Sequence, residues 1–559
     1  MSNGADCLSN KDEKKVHFLV VLLVFLLSFL WFYSLTYNFN FFWEDTWIFG
    51  AYDTSLKSPE LYSGIAFTKT FLHAITDTEH FYRINYYARP LGEFYISVLG
   101  STLGLNVLSQ RVAKVILASL LMVVVYFFCS LIGRKDSKIQ ILLGCKFSCF
   151  NECILFSFLF LFYLLLLPEL WILTLYLVDS LIFTILIETL ALFLFFFYYL
   201  DDNLKSKWKI SLLFFCIVFL THIATLIRHI GRINFLIFFF FLLFTDVKKL
   251  FSWRYGTLIS ILFLVSFPIF GFFDADQGQD TLGITEHTGK SGLLGKITLV
   301  LGFLKDIYLA FLPHGLFLFL LLGIAILAHV YGCFRLKPIE DDLYLINVKK
   351  LAMFSLLWFL LAVGTFYIAR GLAFDPLSFL RCEFVIFIIP QTLFILSYAK
   401  YVSQRYFSKK RVMNYIILLF LFLAILSNIQ RLNEWRGGWG GYFLGYDTAR
   451  QYMDKHAIDA LLIVPFDHAI AAYFTPPSTN QEIMVSDFRN SSLLQSYKEN
   501  YTSVFIAAHY PLTFDDPTIL NIENLTIQDN SPYGQLKKLL RKYYATPIYL
   551  YEVKEANKG

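Results

Sequence analysis

Charge is scarce in this sequence. Asp, Glu, Lys and Arg make up only 16% of its 559 residues, where a soluble globular chain carries about a quarter. That deficit excludes an ordinary soluble domain. Cysteine is also sparse, with eight in all and none after Cys382. The C-terminal region therefore holds no disulfide framework. No small-residue cleavage pattern follows the first apolar run, so "FYSLTYNFNFF" reads as the end of a retained anchor. An internal repeat, a low-complexity linker and a basic nucleic-acid patch are all missing. Nucleic acid is thereby excluded as a partner.

Apolar and aromatic residues fill the space. The chain is 57% hydrophobic and 19% aromatic, with 62 Phe in runs such as "FLIFFFFLLF". Its mean hydropathy is +0.59. This is the composition of a polytopic α-helical membrane protein. Stretches long enough to cross a bilayer begin near His17, Gln110, Cys149, Asp179, Ile210, Ile233, Tyr255, Gly315, Leu351, Arg381 and Val412, giving about eleven spans. The run from Glu152 to Leu200 divides at "LLPELWILTLYLVD", where Pro168, Glu169 and Asp179 mark a turn at one surface. Cys145, Cys149 and Cys153 stack on one helix face as packing residues or lipidation sites. A metal needs more ligand types at tighter spacing.

The connecting segments alternate in basic content. "KDEKK", "GRKDSK", "NLKSKWK", "VKKLFSWR", "RLKPIEDD" and "KYVSQRYFSKKR" are dense in Lys and Arg, and the segments between them are not. The positive-inside rule puts the basic set and the N-terminus in the cytoplasm. A large first loop, about residues 38–110, is then extracytoplasmic. "GLLGKITLVLGFLKDIYLAFLPHG" carries Lys296, Lys305 and Asp306, and reads as an amphipathic helix on the outer surface.

The chain divides into a membrane domain, residues 1–430, and an extracytoplasmic C-terminal α/β domain, residues 431–559. In the latter "DALLIVPFD", "YTSVFIAAHY" and "TPIYLYEV" read as buried strands, and "TARQYMDKHA" and "YGQLKKLLRKYYA" as helices. It is a stabilising cap or a binding module.

Glu44 and Asp45 sit side by side where the chain leaves its first span, in "FFWEDTWIFGAYD". Two readings stand: a solvated helix start with Asp45 as N-cap, or the acid/base end of an active site. The loop they open closes on Arg89-Pro90-Leu91, an apolar stretch ending at Gly104-Leu105-Asn106, and Arg111 at the start of the second span. This order resembles the polyprenyl-phosphate-sugar glycosyltransferases of GT-C fold, nearest to the protein O-mannosyltransferase and aminoarabinose transferase group. "LVDSLIFTILIETLALF", "LTHIATLIRHIGRINFLIF" and "RCEFVIFIIPQTLFILSYA" resemble that group's later spans. Two departures stand out. The family often has the acids in the order Asp-Glu, and Cys382 stands where Tyr is common.

The resemblance implies transfer of a sugar from a polyprenyl-phosphate carrier to a lipid, glycan or protein acceptor on the outer face, with inversion. A carboxylate suits the base that takes the acceptor proton, and Arg suits the phosphate leaving group. Asp45 is expected as base or acceptor-orienting acid with Glu44 as its partner. Arg89 either pairs with the acids or meets phosphate. Arg228, His229 and Arg232 at an outside turn either bind the lipid phosphate or snorkel to headgroups. Arg370 and Arg381 flank "GLAFDPLSFL", also outside, and Arg381 matches the family motif. Asp179 caps a helix or contacts substrate. Residues 274–290, "DADQGQDTLGITEHTGK", read as a solvated loop or a lid. No cofactor is expected; a divalent metal at "DAD" is the less favoured reading, and His287 and His314 read as surface residues.

Other functions fit the sequence less well. A polysaccharide polymerase or ligase normally carries its functional loop late in the chain. A transporter or flippase predicts mid-bilayer polar groups, broken helices or two related halves, and none is apparent. A non-enzymatic scaffold would not need the acids with Arg89 and Arg381. Sequons occur at Asn490, Asn500 and Asn524, as an ER protein would allow, but the absence of ER sorting signals favours a bacterial inner membrane.

Overall fold

A computed structural model describes residues 10–36, 107–133, 158–175, 181–200, 207–227, 233–266, 316–335, 343–370, 385–406, 414–433, 460–464, 481–485, 491–508, 521–524 and 549–554. The protein is a polytopic helical membrane protein. Helices α1 (Asn10–Thr36), α2 (Val107–Gly133), α5 (Leu181–Leu200), α6 (Lys207–Ile227), α10 (Leu316–Arg335), α11 (Leu343–Arg370), α12 (Val385–Tyr406) and α13 (Asn414–Asn433) each contain a stretch long and apolar enough to cross a bilayer. Runs of Leu, Ile and Phe leave no other solution in lipid, where only a helix satisfies its own backbone.

Three further apolar helices match predicted span positions but are shorter: α3 (158–165), α7 (Ile233–Thr245) and α9 (Trp253–Ser266). The 13 residues of α7 make about 20 Å of helix, less than a hydrocarbon core of about 30 Å. Short elements punctuate these. Pro168 opens α4 (Pro168–Leu175), a position where its missing N–H costs no helical bond. Asp246 caps α8 (Val247–Leu250), its carboxylate accepting from the Lys249 main-chain N–H at 3.2 Å.

Phenylalanine packing joins the central helices. Phe354 of α11 lies 5.1 Å, centroid to centroid, from Phe196 of α5 and from Phe241 of α7. Phe128 of α2 meets Phe193 edge-on at 5.2 Å. Such edge-to-face pairs add to the burial of large rings. Helix α12 is the most enclosed and α1 and α10 the least. The latter expose Phe18, Leu19, Leu30 and Leu327, a lipid-facing surface rather than an aqueous one.

Contacts define two ends of the bundle. The Trp171 indole donates to the Leu35 carbonyl, and the Arg111 guanidinium to that of Thr174. The end of α1, the start of α2 and α4 therefore share one end. The Tyr344 hydroxyl donates to the Ile132 carbonyl, and Lys350 stacks on Tyr199. The ends of α2 and α5 and the start of α11 thus lie at the other. Tyr406 packs with Tyr344 there, so α12 starts at the first end.

A mixed five-stranded sheet follows the helices. Its strands are β1 (Ala460–Val464), β2 (Gln481–Val485), β3 (Ser503–Ala508), β4 (Asn521–Asn524) and β5 (Tyr549–Lys554), in the order β2-β1-β3-β5-β4. β1 is parallel to β2 and β3, and β5 is antiparallel to β3 and β4. Strand alternation separates two faces. Leu461, Ile463, Val504, Ile506, Tyr551 and Val553 pack with Leu494 of helix α14 (Ser491–Asn500). Phe505 and Leu550, on the opposite face, join the hydrophobic cluster of the membrane helices. The three strands expected from the sequence coincide with β1, β3 and β5. The helices expected at 448–457 and 533–545, the outer-surface helix and the 274–290 loop lie outside the described residues.

Candidate functional site

The end of the bundle shared by α1, α2 and α4 carries a buried polar centre. Gln110, Arg111 and Lys114 lie on the first turns of α2, all fully buried. Charges inside a span face the bundle interior because lipid would not solvate them. The Arg111 Nη1 donates to the Thr174 carbonyl of α4 at 3.3 Å. Glu169, also buried, forms an ion pair with Arg431 of α13 at 3.3 Å. Asn428, one turn earlier on α13, donates to the Tyr163 carbonyl at 3.1 Å. The indoles of Trp31 and Trp171 tie α1 to the same region, through Leu165 and Leu35 carbonyls.

Helix α4 is the common partner. α1, α2 and α13 each bind it or the chain just before it. Three cations (Arg111, Lys114, Arg431) and one carboxylate (Glu169) accumulate in an otherwise apolar bundle. Guanidinium groups held out of water are suited to a phosphate.

Most of the sequence-predicted site residues, Glu44, Asp45, Arg89, Asp179, Arg228, His229, Arg232 and Arg381, lie outside the described residues. Arg370 is the last residue of α11, and only its backbone is described. In sequence, Asp179, Arg228, His229, Arg232, Arg370 and Arg381 lie within a few residues of a helix terminus, and Glu44, Asp45 and Arg89 lie in the segment that joins α1 to α2. Asp45 follows the end of α1 and Arg89 precedes α2. Asp179 precedes α5, and residues 228–232 join α6 to α7. Arg370 ends α11, and Arg381 precedes α12. The α1, α2, α11 and α12 termini belong to the end that carries the buried centre. The start of α5 belongs there too, since Tyr199 near its other end meets Lys350, and so does the start of α7, since Lys249 just beyond its end also meets Tyr199.

Sequence reasoning missed Lys114, Glu169 and Arg431 as site residues, and used Arg111 only as part of a motif. Their signal was present: ionisable residues within or bounding apolar spans. It also missed Glu188. This carboxyl lies inside α5, fully buried, and neither oxygen has a hydrogen-bond partner among the described residues. The expectation that no span carries an interior polar group is corrected by it, while the α3–α4 turn falls at Pro168, where the sequence had divided the run. Among the described residues no group of His, Cys, Asp and Glu is arranged to hold a metal ion. No protein-family model and no curated protein sequence matches this chain.

Proposed function

We propose that this protein is a membrane glycosyltransferase of GT-C type, moving a sugar from a polyprenyl-phosphate carrier to an acceptor at the extracytoplasmic face. One observation carries the reading. The described helix termini that precede or follow, in sequence, the segments holding Asp45, Arg89, Asp179, Arg228, His229, Arg232, Arg370 and Arg381 gather at the end where Arg111, Lys114 and the Glu169–Arg431 pair are buried. The opposite end carries Lys249, Arg254, Lys349, Lys350 and Arg405 over tyrosine rings, which supports assigning it to the cytoplasm. The polar centre then faces outside, together with the sheet that follows α13. With the apolar stretches of sequence that contain α3, α7 and α9, the chain makes eleven spans in a bacterial inner membrane.

The chemistry is a single displacement. The acceptor hydroxyl attacks the anomeric carbon as Asp45 takes its proton, with Glu44 as its partner. The bond from that carbon to the phosphate oxygen breaks, and polyprenyl phosphate leaves with its charge neutralised by Arg and Lys. The anomeric centre inverts. No step needs a metal. A transporter is the second reading, favoured by the buried, unpartnered carboxyl of Glu188.

The test is release of polyprenyl phosphate by the purified protein from a panel of polyprenyl-phosphate sugars with membrane-extract acceptors. The glycosyltransferase reading predicts turnover with one sugar class. Sugar-linked lipid that crosses a vesicle membrane without being cleaved would establish the transporter instead.

A further inference from the structure

We draw no further inference here: the strongest candidate, the Glu188 carboxyl buried inside α5, carries nothing beyond the second reading already given, because the segments that directly precede α5 and α7 in sequence lie outside the described residues and nothing in the structure shows what meets it.

Discussion

Glu169 and Arg431 show what one residue contributes to this bundle. Their side chains are 2% and 12% exposed, so water screens the pair little. Removing one member of a buried ion pair costs about 3–5 kcal/mol, whereas replacing both by apolar residues is often neutral. Arg431→Leu should therefore lower the unfolding temperature markedly, and adding Glu169→Leu should restore most of the loss. Thermal unfolding of the purified single and double variants reads the coupling, and additive losses would show that the pair does not act as a unit. Individual residues were also the least legible feature of the sequence. Glu188 sits in "LIETL", where the surrounding apolar run defines the span so strongly that one carboxylate does not disturb it. Arg111 and Lys114 open a span, where positive charge is ordinarily read as interfacial. Only the packing of α4 against α2 shows Arg111 to be enclosed.

Among elements, the α10–α12 contact leaves no room for a side chain at Gly332. A Cβ on Gly332 would overlap the Tyr406 ring near its root, where the side chain has little freedom to move. Tyr406 is fixed further by Cys333 Sγ at 3.2 Å and by packing on Tyr344. Gly332→Ala should destabilise the protein by about 1–3 kcal/mol, the usual cost of overpacking. Gly323→Ala on the same helix, where an added Cβ meets nothing within 4 Å, should not. Equal melting temperatures for the two variants would contradict the packing. Helices were legible because a bilayer demands long apolar runs. Strands were legible in proportion to burial: β1, β3 and β5 are interior and announce themselves, whereas β2 and β4 are the sheet edges. "QEIMV" and "NIEN" lack the apolar run that identifies a buried strand.

The whole molecule is polarised. Cations crowd tyrosine rings at one end, and a buried polar centre occupies the other. The alternation of basic loops was readable directly, and it agrees with where these cations lie in the bundle. What the sequence could not supply is which distant helix ends meet, since that depends on packing between helices far apart in the chain. The orientation makes a prediction. Single cysteines introduced at Lys146 and Lys349 should be labelled by an impermeant thiol reagent only from the cytoplasmic side, and those at Lys290 and Asn524 only from outside. Labelling of positions 146 and 290 from the same side would break the eleven-span arrangement.

The central claim is that carboxylates following α1 drive sugar transfer. Asparagine at position 45 keeps the shape of Asp45 and an oxygen able to cap a helix, but it cannot take a proton. The decisive measurement is turnover of a polyprenyl-phosphate sugar by purified Asp45→Asn and Glu44→Gln variants, with thermal stability and donor binding measured alongside. Loss of a general base costs on the order of 10²–10⁴ in rate. Asp45→Asn should lose turnover by that factor while remaining folded and donor-bound, and Glu44→Gln should lose less. Turnover by both variants within a few-fold of wild type would make the acidic pair an interfacial cap and contradict the account.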